Sequence, residues 1–148
     1  MLRLQGKVAF VFGVASEDSI AWAICKSLAE AGVTLYLGYQ KRFMSRVFQL
    51  KDKLPAIAGF YPLDVATDAD TKEFFDKFSE ENPGLKADIL IHAIGFAPRE
   101  CFDRPILFVD DDKINTAKFY FDKVLPRAEQ HYKTAISGSS NIMNFKFN

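Results

Sequence analysis

Lys7-Val8-Ala9-Phe10-Val11-Phe12-Gly13-Val14-Ala15-Ser16-Glu17-Asp18-Ser19-Ile20 is the stretch on which the fold turns. Val8 to Phe12 is apolar at every position, whereas a strand with one wet face would alternate apolar and polar residues. An unbroken run has to be covered on both sides, as in the centre of a parallel sheet. Gly13 closes the run, and Ser19 stands where a helix N-cap belongs. From there Ile20, Ile24 and Leu28, with Ala23 and Ala31, recur at helical spacing until Gly32 supplies a stop. Lys7 and the apolar run also imitate a short signal-peptide core, but a strand that opens into the acidic, helix-starting Glu17-Asp18 accounts for them better.

Outward from this unit the same alternation repeats. Val33 to Tyr39 is a second strand, and Phe43, Val47, Leu50 and Leu54 mark a second helix ended by Pro55. Ile57 to Val65 holds a third strand. Thr67 then caps a helix with Asp68 and Asp70 in its first turn, at the positive end of the helix dipole, and with Phe74, Phe75 and Phe78 on one face. Asn82-Pro83-Gly84 breaks it, and Asp88 to Ile94 is a fourth strand running into Gly95. Right-handed crossovers arrange β-α-β-α-β-α-β as a parallel sheet of order 3-2-1-4. This is a Rossmann-like α/β fold, with a cofactor crevice at the carboxyl ends of strands one and four.

Composition narrows the function. In 148 residues, 19 Lys and Arg balance 19 Asp and Glu without a basic block, which argues against nucleic acid and anionic lipid as partners. No apolar run approaches the roughly 18 residues of a membrane span. Cys25 and Cys101 are far apart, and with His92 and His131 they form no metal-ligand spacing, so free thiols in a reducing cytoplasm and no metal site are expected. The turn from Gly13 to Ile20 aims a helix N-terminus at the crevice, which suits a pyrophosphate. It lacks the second and third glycines of G-x-G-x-x-G, so a plain turn between strand and helix explains it equally well.

Leu4-x-Gly6-Lys7, Gly13-Val14-Ala15-Ser16-x-x-Ser19-Ile20-Ala21, Tyr39-Gln40, Asp64-Val65 and His92-x-Ile94-Gly95-Phe96-Ala97-Pro98 together resemble the bacterial NADH-dependent enoyl-acyl-carrier-protein reductases, of the short-chain dehydrogenase superfamily. The resemblance covers residues 2 to 112, and the family's variant turn explains the missing glycines. It implies that Gly13, Ala15, Ser19 and Ile20 contact the pyrophosphate and ribose, and that Gln40 lies beside the adenosine half. It further implies that Asp64 accepts from the adenine amino group, that Val65 walls the ring, and that Ile94 and Gly95 let the backbone approach the nicotinamide ribose. Phe96 and Ala97 would border a pocket for an enoyl thioester carried on acyl carrier protein. From the residues alone, Asp64 serves equally well as a helix N-cap. Gln40 resembles the NADH-using members, while Lys41 and Arg42 leave NADPH open. His92 reads as a strand-core residue.

In that family a tyrosine, with a lysine after six intervening residues, stabilises the enolate. None of Tyr36, Tyr39, Tyr61, Tyr120 or Tyr132 has a lysine at that offset, so no catalytic residue is assigned. After residue 112 the pattern changes: Thr116-Ala117-Lys118-Phe119-Tyr120-x-x-Lys123-Val124-Leu125-Pro126-Arg127 resembles the terminal helix of an acyl-CoA dehydrogenase. The plainer reading is an amphipathic helix with Phe121, Val124, Leu125, Ala128, Tyr132 and Ile136 on one face, bent at Pro126. Ser137 to Asn141 reads as a loop or frayed tail. The expected organisation is therefore a dinucleotide-binding half over 1–112 and a helical tail of different origin over 113–148, in a chimeric or truncated gene product. Without a fifth strand the edge of strand four, at Ile89 and Ile91, would stand open and favour a homo-oligomer. Two functions follow: a reductase fragment without turnover of its own, or a non-catalytic nucleotide-binding or protein-interaction module.

Overall fold

A computed structural model describes residues 4–95, 99–103 and 111–144. The strands are β1 (Val8–Phe12), β2 (Thr34–Tyr39), β3 (Ile57–Pro62), β4 (Ala87–His92) and β5 (Ile136–Asn144). The helices are α1 (Ile20–Glu30), α2 (Met44–Phe48), α3 (Asp68–Glu81), α4 (Glu100–Asp103), α5 (Asp111–Phe119) and α6 (Leu125–Ala135), with a π turn over Tyr120–Val124 between the last two. All strands run parallel in the order β3-β2-β1-β4-β5. The expected 3-2-1-4 order is present, and the tail adds a fifth strand to it.

β1 is buried as its sequence demands, with Ala9, Phe10, Val11 and Phe12 all fully inaccessible. Successive side chains point to opposite faces. Ala9 and Val11 therefore join Leu35, Leu37 and Ile91 under α1, while Phe10 and Phe12 join Tyr36, Leu90 and the α3 phenylalanines. Asp88 ties the starts of β4 and β1 together, its carboxylate accepting from the Lys7 ammonium at 2.8 Å and from the Val8 amide at 3.0 Å. The Lys7 contact first, and then the Val8 amide, hold its pKa below the usual carboxylate value.

Both expected caps are in place. Ser19 Oγ accepts from the Trp22 amide at 3.3 Å, and Thr67 Oγ1 accepts from the Asp70 amide at 3.2 Å. The buried stripe of α1 is different from the expected one: Ala21, Trp22 and Cys25 face the sheet, and Ile20 is 53% exposed. As the residue following the cap, Ile20 sits in the open first turn. The second helix is also shorter than its periodicity suggested. Residues 41–53 break into a 3-10 turn (Lys41–Phe43), the five-residue α2 and another 3-10 turn (Lys51–Lys53), and no side chain caps the start of any of the three.

The larger correction is β5. Residues 137–141, expected as a loop, lie within a strand that pairs with β4 through Ala87↔Ile136 and then through Ile89↔Asn141, Leu90↔Ile142, Ile91↔Met143 and His92↔Asn144, with a shift of register between Ala87 and Ile89 where residues 137–140 bulge. From Asn141 onward a segment with mixed strand propensity is extended because β4 offers it a ladder, and pairing outweighs local preference. The edge at Ile89 and Ile91 is thus covered by Asn141 and Met143, and β4 offers no open ladder for the expected self-association. Among the described residues no helix is long and apolar enough to cross a membrane.

Candidate functional site

The carboxyl ends of β1 to β4 form one rim, because the hydrogen-bond ladder continues a residue past the strands. The Gly13 amide donates to the Gly38 carbonyl at 3.1 Å, the Ala93 amide to the Phe12 carbonyl at 3.0 Å, and the Leu63 amide to the Tyr39 carbonyl at 2.8 Å. Gly13 adopts φ +100°, and a Cβ there would lie 2.1 Å from the Ala93 carbonyl oxygen. Only glycine lets the loops after β1 and β4 approach this closely.

Two cavities open on this rim and share Gln40, Arg42, Ile94 and Gly95 as walls. The smaller, of about 120 Å³, lies over Gly13, Val14, Leu63 and Ala93. The larger, of about 430 Å³, is bounded by Asp64, Val65 and Ala66 on one side and by Thr116, Phe119, Tyr120 and Val124 on the other. A third, of about 290 Å³, lies beyond Asp64 toward α3, where Lys41, Arg42 and Lys77 face Asp70 and Glu73.

Of the residues expected at a cofactor site, Gly13, Gln40, Asp64, Val65, Ile94 and Gly95 therefore line one crevice. Ala15, Ser19 and Ile20 belong to the turn at its mouth and line neither cavity. Phe96 and Ala97 lie outside the described residues. Of the two readings of Asp64, the helix cap is excluded, since Thr67 holds that position; Asp64 Oδ1 instead accepts from the Ala66 amide at 3.0 Å, within its own turn. A Cβ on Gly95 would meet no atom of the other described residues within 4 Å, and its backbone borders both cavities. Arg42 touches all three cavities and Lys41 only the third.

His92 is buried at the end of β4, as expected of a core residue, with Nδ1 2.9 Å from the Tyr132 hydroxyl and Nε2 2.8 Å from the Tyr120 hydroxyl. Burial lowers its pKa from 6.5 to about 4, against an opposing pull from the Ile94 carbonyl. Burial pushes both phenols well above their usual range, with a smaller contribution from Asp64 at Tyr120. Nothing in the sequence pattern places Tyr120 at the crevice, yet it lines the larger cavity and donates to the Ile94 carbonyl at 3.0 Å. The signal that was missed is the π turn. It shifts the helix register by a residue, and it falls where Pro126 lacks the amide an α-helix would use.

The family profile described as enoyl-(acyl carrier protein) reductase matches residues 13–118. The chain belongs to this family. The enoyl-acyl-carrier-protein reductase (NADH) FabI of Synechocystis is 38% identical over 104 residues, which are 67% of this chain and 39% of that protein. The chain thus spans about two-fifths of the length of such relatives. Among solved structures, the enoyl-acyl-carrier-protein reductase of Aquifex aeolicus superimposes with a TM-score of 0.80 at 29% identity, covering 96% of this chain and 60% of that one. The Bacillus cereus reductase, solved with NADP+ and indole naphthyridinone, gives a TM-score of 0.81 at 29% identity, over 97% of this chain and 56% of its own. This likeness takes in the stretch after residue 112. The fold of that stretch is the reductase fold, in place of the flavoenzyme helix its sequence resembled.

Proposed function

We propose that the chain is the dinucleotide-holding part of an NADH-dependent enoyl-acyl-carrier-protein reductase, soluble in the cytoplasm. The observation that carries this reading is the convergence of Gly13, Gln40, Asp64, Ile94 and Gly95 on one crevice. The donor set fits a dinucleotide. The α1 N-terminus offers a positive dipole to a pyrophosphate. Asp64 offers a half-buried carboxylate with one oxygen left over from its own turn, and such an oxygen is stabilised by an adenine amino group. Gly95 brings its backbone to the open space where a ribose would lie.

When bound, the nicotinamide supplies the hydride for reduction of an enoyl thioester. The residues of this chain bind and orient it, and among the described residues no tyrosine is placed to move a proton to the substrate. Tyr120 is the one tyrosine on the larger cavity; burial raises its pKa, and its hydroxyl proton is committed to Ile94. Its offset partner is Arg127, not lysine, and Arg127 is engaged with Asp68 at 3.1 Å and the Ala66 carbonyl at 2.6 Å. The isolated chain is therefore expected to bind NADH without turning over an enoyl thioester, and Phe96 and Ala97 would lead toward that substrate. Arg42, which borders all three cavities, and Lys41, which borders the third, are the residues through which NADPH would bind by its 2′-phosphate. Calorimetric titration with NADH and NADPH, alongside a crotonyl-thioester assay, tests the reading. Failure of both nucleotides to bind a folded sample would leave only a protein-interaction module.

A further inference from the structure

Resting on that reading, we propose that Tyr120 and His92 are a positioning pair, which holds the Ile94 carbonyl, and through it the Ile94-Gly95 backbone, in the shape that receives the cofactor. Proton counting sets the direction of the chain. Tyr120 has a single hydroxyl proton and gives it to the Ile94 carbonyl at 3.0 Å, so toward His92 it accepts. His92 therefore carries its proton on Nε2, and its bare Nδ1 accepts from the Tyr132 hydroxyl at 2.9 Å. The chain runs from Tyr132 through His92 and Tyr120 to the Ile94 carbonyl. It ends where the sheet has stopped: the last β1–β4 pair is Phe12 with His92, and Ile94 lies two residues beyond.

A buried histidine needs only one partner for each nitrogen, and two phenols supply that. What this requirement leaves unexplained is the second job of Tyr120, which reaches past the histidine to a backbone carbonyl on the cavity wall. The π turn makes that reach possible. Tyr120 and Tyr132 are twelve residues apart, which in an uninterrupted α-helix puts them about 120° apart. The extra residue taken up by the π turn leaves eleven effective steps and about 20°, so both hydroxyls meet one imidazole.

Tyr120→Phe removes the hydroxyl and keeps the ring. It is expected to weaken NADH binding about fivefold to tenfold and to shift the Ile94 carbonyl carbon resonance in the cofactor-free protein. Tyr132→Phe removes the far end of the chain and leaves the Tyr120–Ile94 bond, so it is expected to lower stability with affinity nearly unchanged. A merely structural role makes both variants lose stability alike with no change in affinity, and that result overturns the proposal. An unchanged Ile94 resonance in Tyr120→Phe overturns it as well. If Tyr120→Phe does not fold, wild-type protein still reads the bond: the Tyr120 hydroxyl proton must appear as a slowly exchanging, downfield-shifted resonance, and a hydroxyl proton that exchanges freely with water refutes the pair. Should the wild type bind no NADH, the functional reading fails, and the Ile94 resonance alone judges whether the hydrogen-bonded chain exists.

Discussion

On one face of the sheet Ala9, Val11, Leu35 and Leu37 meet Ala21, Trp22 and Cys25 of α1; on the other, Phe10, Phe12 and Tyr36 meet Phe74, Phe75 and Phe78 of α3 and Tyr132 of α6. The first face is mostly aliphatic around the Trp22 ring, and the helix it carries, α1, starts at the mouth of the crevice. The second face is mostly aromatic and needs space for its rings. Gly38 provides some of it, since a Cβ there would come within 2.6 Å of the Phe12 ring. Phenols in this face also carry hydroxyls into the core, where His92 uses two of them. One face therefore carries the helix that starts at the crevice, and the other carries the polar order behind it.

The contrast is sharpest in a pair of truncations on β1. Phe12 packs with centroid separations of 5.1 Å to Phe74 and 5.3 Å to Tyr132, so Phe12→Ala should cost about 3–5 kcal/mol of stability. Val11→Ala on the opposite face should cost about 2 kcal/mol. Urea unfolding midpoints at constant slope read both, and equal losses would mean that the two faces share the load evenly.

The next largest effect belongs to the aromatic face alone. In the unfolded chain His92 takes up a proton near its ordinary pKa of 6.5, and in the fold only near 4. Between those values the unfolded state binds more protons, so stability falls as pH drops through this window, by about 3 kcal/mol in all. The carboxylate of Asp88, with its lowered pKa, acts in a separate range and is lost only as pH falls below 3.8. His92→Gln should flatten the profile between pH 6.5 and 4, and an unchanged slope would place the titrating group elsewhere.

How far the sequence disclosed all this differs between the same two faces. β1, the Ser19 and Thr67 caps, the α3 phenylalanines and the strand order were legible, because burial on both sides and capping leave local marks. The crevice residues Gly13, Gln40 and Asp64 were legible by resemblance. Tyr120 and β5 were not. Pro126 marks a bend in the sequence, but a π turn is a one-residue irregularity whose shift of register helical periodicity cannot show. From Asn141 onward the chain becomes a strand because β4 lies beside it, a tertiary effect written in no local pattern.

Asp64 tests the crevice without touching either face. Since Thr67 caps α3, Asp64→Ala should leave stability almost unchanged while weakening NADH binding by roughly 1–3 kcal/mol. Calorimetry on the folded variant decides it: full affinity would remove Asp64 from the site.

The smallest expected effects come from the two caps, and they separate the faces by function. Ser19 and Thr67 each satisfy one amide of a helix start, so Ser19→Ala and Thr67→Ala should each cost about 1 kcal/mol of stability. Their consequences for binding should part. Thr67 begins α3, on the aromatic face, and lines none of the cavities. Ser19 also donates to the Ser16 carbonyl at 2.7 Å and so shapes the turn between Gly13 and α1 at the mouth of the crevice. Its loss frees that turn and should weaken NADH as well, by a few-fold. Thermal melts and titrations on both variants read the difference. If Thr67→Ala weakens NADH as much as Ser19→Ala does, the crevice senses general stability, and the turn before α1 has no special part in holding the cofactor.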